Sequence, residues 1–361
     1  SSPCLVTLWT LGVVQRGQFH SLHTCSPPAL PVGRITALQA LEFWKKHFEE
    51  SGVTEPDLSS HYIVAHSLGG KTIESLEQRK LTEFLSREKT EQIWKLCTKR
   101  LSRMPVQYVI QEWDFRDLTL TMRPPVFIPR PETEELVELV LTDLKNKPSS
   151  GDTVQTCLEV GCGSGAVSLS LLSSCPQLQV VALDRSQEAV ELTKENASRY
   201  TVVNKTDLNK HRADEACSRC SPVSVLVSNP PYLFSDDVKT LEPEILRFED
   251  PFALDGGSDG LTVIKQILTV APKILSDRGG IYLEVDPRHP PLIQQWVEAN
   301  VAELRYVETR PDINSRSSNK SLLCLPPLYH YPCVNLRRRR GAAVITLLMC
   351  DIQAVLGEKK I

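Results

Sequence analysis

No stretch of this sequence stays apolar long enough to cross a bilayer as a helix, so no membrane is expected as a partner. A strong charge of either sign is also missing. The 41 Lys and Arg against 44 Asp and Glu leave a formal net charge of -3, which argues against a protein held to nucleic acid by bulk electrostatics. The 11 cysteines have no framework spacing, which fits a reducing interior better than a secreted, disulfide-stapled fold. Cys217 and Cys220 form a lone CxxC with no second pair beside it, read as two free thiols, and no metal is expected. Acidic residues are absent from the first 41 positions, where Arg16, His20, His23 and Arg34 stand among Ser and Thr. That composition predicts a mitochondrial transit peptide over 1–34 and a mitochondrial matrix location, with a disordered leader as the alternative.

From Ile35 onward apolar residues fall at helical spacing. Leu41, Trp44 and Phe48 share one face before Gly52, a plausible stop, and Ile93, Trp94, Cys97 and Leu101 repeat the pattern. The expectation is a small helical bundle over 35–112, with its stripes forming a core. Residues 113–130 alternate like a short hairpin. Pro131 can then open a helix with Leu136, Val137, Val140, Leu141 and Leu144 on one face. After the polar linker "KNKPSSGD" strands and helices alternate, which predicts an α/β fold: a doubly wound, Rossmann-like sheet with helices on both faces over 131–311. Ligands bind such sheets at the carboxyl ends of the strands.

Three strand ends carry the chemistry. In "EVGCGSGA" Gly161, Gly163 and Gly165 allow a sharp turn and close approach of a ligand, and Asp184 ends the next strand where it can accept from both hydroxyls of a ribose. Together they imply an adenosine-containing cofactor; a tight turn followed by a helix-capping Asp is the plainer alternative. Glu159 would repel a pyrophosphate but suits the cationic methionine part of S-adenosylmethionine, the plainer alternative being a surface carboxylate at a strand end. In "VLVSNPPYLF" the run Val225–Val227 reads as a buried parallel strand, ended by Asn229, Pro230, Pro231 and Tyr232. The prolines donate no hydrogen bond, so this turn offers carbonyl oxygens and the Asn229 side chain. Acceptors at Asn229 and Pro230 can hold both hydrogens of a planar NH2, aim its lone pair at a methyl carbon, and stabilise the charge that develops on nitrogen. Tyr232 can stack on the planar group.

"NPPY" with "EVGCGSG" resembles the class I, S-adenosylmethionine-dependent amino-methyltransferases. "FIPRPETEELVE", "RFEDPFALDGGSDGL" and "IYLEVDP" are similar to one branch, the HemK/PrmC-type methyltransferases of peptide-chain release factors, across roughly Met104 to Pro290. The resemblance implies an enzyme that N-methylates the glutamine side-chain amide of a release factor's Gly-Gly-Gln motif. It implies that Gly161, Gly163, Gly165 and Asp184 hold the cofactor with Asn229 beside it, that Asn229, Pro230, Pro231 and Tyr232 hold the glutamine, and that Pro131, Glu132, Thr133 and Glu134 line the mouth. Phe252 and the flexible "LDGGSDGL" loop also contribute to the mouth, a glycine-rich surface turn being the equal alternative for that loop. The helical segment resembles that family's substrate-recognising domain, and the leader points to a mitochondrial member.

Two regions depart from the family. The segment "ASRYTVVNKTDLNKHRADEACSRCSP" is short and polar where an adenine-contacting acidic residue is expected; Asp207 is the candidate. Beyond "LRYVETRPDI" the family closes its sheet with a hairpin, whereas residues 312–361 form an atypical tail with "RRRR" at 337–340, in which Ala343–Leu348 could supply the last strand. Three alternatives stay open: an adenine or cytosine amino-methyltransferase, which needs a phosphate-binding surface, a lysine-directed methyltransferase, which suits a pocket for a planar NH2 less well, and a catalytically silent cofactor-binding protein.

Overall fold

The structure is a computed structural model and describes residues 28–146, 155–200, 206–209, 222–310, 334–335 and 344–349. The leader before residue 28, Cys217, Cys220 and the Arg run at 337–340 lie outside the described residues. Among the described residues no helix is long and apolar enough to cross a membrane.

The chain opens with α1 (Ala37–Glu50), α2 (Pro56–Ser67), α3 (Gln78–Thr82), α4 (Arg87–Leu101) and α5 (Val106–Ile110). A capping box starts α1: Thr36 Oγ1 accepts from Gln39 N, and the Gln39 side chain accepts from Thr36 N. Gly52, at φ +66°, takes the left-handed conformation just past its end. Trp44, Phe48, Ile63, Ile93 and Cys97 are fully buried in the common core of these helices.

A two-stranded antiparallel hairpin follows, β1 (Glu112–Phe115) and β2 (Leu118–Thr121), and then α6 (Thr133–Asn146). Phe115, Leu118 and Leu120 share one buried cluster with the α6 stripe of Leu136, Val137, Val140 and Leu141. Each such side chain, fully buried, contributes about 1.5–3 kcal/mol, so this hairpin is built into the core under the sheet.

The sheet itself comes from β3 (Thr156–Val160), β4 (Gln179–Leu183), β5 (Thr206–Asn209), β6 (Val223–Ser228), β7 (Leu275–Val285), β8 (Arg305–Arg310), β9 (Val334–Asn335) and β10 (Val344–Met349). Its order is β5-β4-β3-β6-β7-β10-β8, with β9 on β10. Helices α7 (Ala166–Ser174), α8 (Gln187–Arg199), α9 (Ser235–Val238), α10 (Pro243–Phe248), α11 (Thr262–Ile274) and α12 (His289–Asn300) connect the strands. One apolar cluster lies with α6 and α7 and another with α11 and α12, so both faces of the sheet are covered. This is the expected doubly wound α/β fold.

The strand expected near Ala343–Leu348 is β10, which inserts between β7 and β8 and is parallel to both. A hairpin partner of β8 would run antiparallel. A parallel pair requires a connection of a dozen or more residues, and residues 311–343 lie between β8 and β10 in the sequence.

A buried polar seam joins the helical unit to the segment after β6. Arg100 on α4, 3% exposed, reaches Glu244 on α10 at 3.2 Å, while Arg100 Nη2 donates to Thr54 O at 2.9 Å and Thr54 Oγ1 to Glu244 Oε1 at 2.9 Å. Burial alone would raise the Glu244 carboxyl, but Arg100 and Arg103 outweigh it and hold it below its ordinary value.

Candidate active site

Strand β3 ends at Val160, and the chain must turn within Gly161–Gly165 to start α7. Gly161 N and Cys162 N both donate to Leu183 O, at 2.8 and 3.0 Å, which ties the loop to the tip of β4. Gly163 sits at φ +54°, and a Cβ there would meet no protein atom within 4 Å: its place is the cavity. Gly165 differs. A Cβ there would stand 2.9 Å from Thr193 Cγ2, so this glycine lets α7 pack against α8, and it does not line the cavity.

Asp184, one residue past β4, accepts from Gly163 N and Ser186 N, each at 2.9 Å. Two bonds occupy part of a carboxylate that has about four acceptor sites, leaving capacity for a ligand's hydroxyls. Burial raises its pKa, opposed by the backbone donors Ser186 and Gly163. Glu159 is 2% exposed, and its Oε2 accepts from both the backbone and the hydroxyl of Ser168 on α7. Burial pushes its carboxyl up to about 8. A surface carboxylate at a strand end is thereby ruled out. The group is a wall of the cavity whose ionisation a nearby cation would favour.

Opposite the glycine loop the acceptor side is assembled from distant elements. Ser228 Oγ donates to Val160 O at 2.6 Å, setting the tip of β6 against that of β3. Asn229 Nδ2 donates to Thr133 Oγ1 at 3.2 Å, and Thr133 Oγ1 donates to Glu284 Oε2 at 2.7 Å. The Tyr232 hydroxyl donates to Glu284 Oε1 at 3.3 Å. Leu233 exchanges backbone bonds with Leu254 and Gly256, and a Cβ on Gly256 would come within 2.7 Å of Pro231 O. The 254–261 loop, read from sequence as a flexible surface turn, is therefore a brace pressed against the proline turn.

A cavity of about 1300 Å³ runs between the two sides. It brings together Glu159, Gly161, Gly163 and Asp184 with Thr133, Asn229, Pro230, Pro231 and Tyr232, and it reaches Phe252 at its rim. Arg185 stands over the Phe252 ring at 4.1 Å. Glu132 does not line it, and Glu134 turns toward the hairpin, where Oε1 accepts from Arg116 N at 2.9 Å. Asp207 falls on β5, and its side chain lies outside the described residues.

Two groups escaped the sequence reading. Arg130 pairs with Glu249 at 2.7 Å, and Glu249 also accepts from Ile128 N at 3.2 Å, which fixes the "FIPRP" segment. Glu284, fully buried, was the other. Its signal is present in "IYLEVD", a carboxylate inside an apolar strand.

The cavity fits its implied cofactor on three observations: the space beside Gly163, the spare acceptor capacity of Asp184, and the buried Glu159 carboxyl. Fold and site together define a class I S-adenosylmethionine-dependent methyltransferase. The methyltransferase small domain family matches residues 118–247, and the PrmC N-terminal domain family matches 39–110. A Homo sapiens protein described as MTRF1L release factor glutamine methyltransferase is 45% identical over 293 residues, 79% of this chain and 85% of that one. A release factor glutamine methyltransferase of Deinococcus radiodurans is 32% identical over 272 residues, 74% of this chain and 90% of that one. The chain belongs to the release factor glutamine methyltransferase family.

Proposed function

We propose that this chain transfers a methyl group from S-adenosylmethionine to the side-chain amide nitrogen of the glutamine in the Gly-Gly-Gln motif of a mitochondrial release factor. The observation that carries the reading is the anchoring of Asn229: with Nδ2 engaged by Thr133, the amide's acceptor, Oδ1, is left for a substrate in the cavity. The names of the relatives supply the substrate class. The acid-free leader supports the mitochondrial matrix.

Asp184 and the Gly161–Gly163 backbone would hold the nucleoside part of the cofactor, and Glu159 would face its cationic end. Bound there, the cofactor supplies an electrophilic methyl group on a sulfonium. Asn229 Oδ1 and the Pro230 carbonyl accept the two N–H bonds of the substrate amide, so its nitrogen is oriented with the lone pair toward the methyl carbon. The positive charge that would develop on nitrogen as it takes up the methyl group would be stabilised by these two acceptors. The surplus proton then leaves to water, so no base of unusual pKa is required. Tyr232, held by its hydroxyl, gives the amide plane a ring to lie against.

The test is labelled cofactor with a release factor, either intact or with the motif glutamine changed. Label on the intact factor alone, abolished by Asn229→Ala, is expected. Label on nucleic acid in place of the factor would overturn the protein-substrate reading.

A further inference from the structure

We propose that Glu284 is a positioning residue that dictates which way the Asn229 side-chain amide faces, by setting the direction of the hydrogen-bond chain through Thr133. The inference rests on the reaction proposed above.

Glu284 lies on β7 in the run Ile281–Val285 and has no solvent exposure. Burying a carboxylate is costly unless donors meet it. Two of the donors that meet it are hydroxyls from the acceptor side of the cavity: Thr133 at 2.7 Å on one oxygen and Tyr232 at 3.3 Å on the other. A hydroxyl has one proton, and the Thr133 hydroxyl is the donor in its bond to Glu284 Oε2. Thr133 therefore gives its proton to Glu284, and its oxygen faces Asn229 as an acceptor. Only the NH2 end of the Asn229 amide can meet an acceptor, which is the contact present, 3.2 Å from Nδ2 to Oγ1.

The two ends of an asparagine amide are almost the same size, so packing alone does not choose between them. Chemistry does. Turned the other way, Asn229 would aim N–H groups at the NH2 of the target, donor against donor, and the nitrogen lone pair would lose its orientation. Glu284 excludes that state from two bonds away, and through Tyr232 it also holds the ring.

The test compares Glu284→Met and Glu284→Gln with Thr133→Val and Thr133→Ser. Methionine is close in size and releases the Thr133 proton to donate toward Asn229, so kcat is expected to fall about tenfold or more, the scale of one misdirected acceptor at a developing charge. Cofactor affinity and the KM for the release factor should move far less. Glutamine retains one carbonyl acceptor and should lose less than methionine. Thr133→Val should resemble Glu284→Met, Thr133→Ser should recover most of that loss, and the Val/Met double variant should be no worse than the worse single one. Additive losses, or wild-type kcat in Glu284→Met, would overturn the proposal.

An activity-free measurement is the NMR signal of the Asn229 side-chain amide, identified by its disappearance in Asn229→Ala. It is expected to shift in Glu284→Gln and in Thr133→Val, and signals unmoved by both would overturn the idea even in an inactive protein. If the wild type methylates no release factor yet the amide still responds to Glu284, the proposed reaction fails and the positioning role stands.

Discussion

The two sides of the cavity are built in different ways. The glycine-loop side, Glu159 to Asp184, comes from one strand–loop–helix–strand unit whose loop is tied by bonds such as Gly163 N to Asp184, 21 positions apart. The acceptor side draws Thr133, Asn229, Tyr232 and Glu284 from separate elements, and its Thr133–Glu284 bond joins residues 151 apart in the chain. A short loop is closed at little entropic cost, whereas distant groups are held only as well as the strands and helices that carry them. The acceptor side should therefore be the more sensitive to changes made far from it.

The largest expected effect tests that sensitivity at the seam. Glu244→Ala would leave Arg100 buried without its carboxylate, and stability measured by denaturant unfolding should fall by about 3–5 kcal/mol. Because Glu244 lies on the segment that leads from the proline turn to the 254–261 brace, the KM for the release factor should rise more than the cofactor Kd. Equal changes in both would break the comparison. Next comes Asn229→Ala, expected to lower kcat by about 10²–10³, with calorimetric cofactor affinity much less affected.

On the other side, Asp184→Ala removes the acceptor of Gly163 N and Ser186 N as well as the proposed ribose contact. Cofactor binding should weaken by about 1–3 kcal/mol, read by calorimetry. Retained affinity would move the nucleoside site elsewhere.

A smaller effect is read through pH. Glu159, pushed up mainly by burial to about 8 from an ordinary 4.5, holds a proton in the folded protein that the unfolded chain releases. That stabilisation is fully present below the ordinary carboxyl value and is lost as pH rises through about 8. Between those values the melting temperature of the ligand-free protein should fall as pH rises, and Glu159→Gln should flatten the slope while weakening cofactor binding. The smallest effect belongs to the rim, where Phe252→Ala removes the Arg185 stacking contact, worth about 0.5–1 kcal/mol, and should change the cofactor off-rate slightly.

The glycine loop, Asp184 and the "NPPY" turn were legible because each lies on a few consecutive residues whose backbone requirements, a tight turn or a missing donor, appear as residue types. Gly165 was misread as a cofactor contact because sequence shows that a side chain is missing but not what fills the space, here Thr193. Glycines at 256, 257 and 260 looked like flexibility for the same reason, although Gly256 and Gly260 are buried against the carbonyls of Pro231 and Tyr232. Arg100 and Glu244, 144 positions apart, left no pattern to read.

By itself the sequence determined the alternation of strands and helices, the helical unit before them, and which residues stand at three strand ends, since periodicity and turn residues are local properties. Only the tertiary structure decided that Glu159 is buried and clasped by Ser168, that β10 enters the sheet parallel to both neighbours, and that Thr133, Asn229, Tyr232 and Glu284 form one chain. Those outcomes depend on which elements become neighbours in space, and hydrogen-bond direction across such a contact is set by all of its members at once.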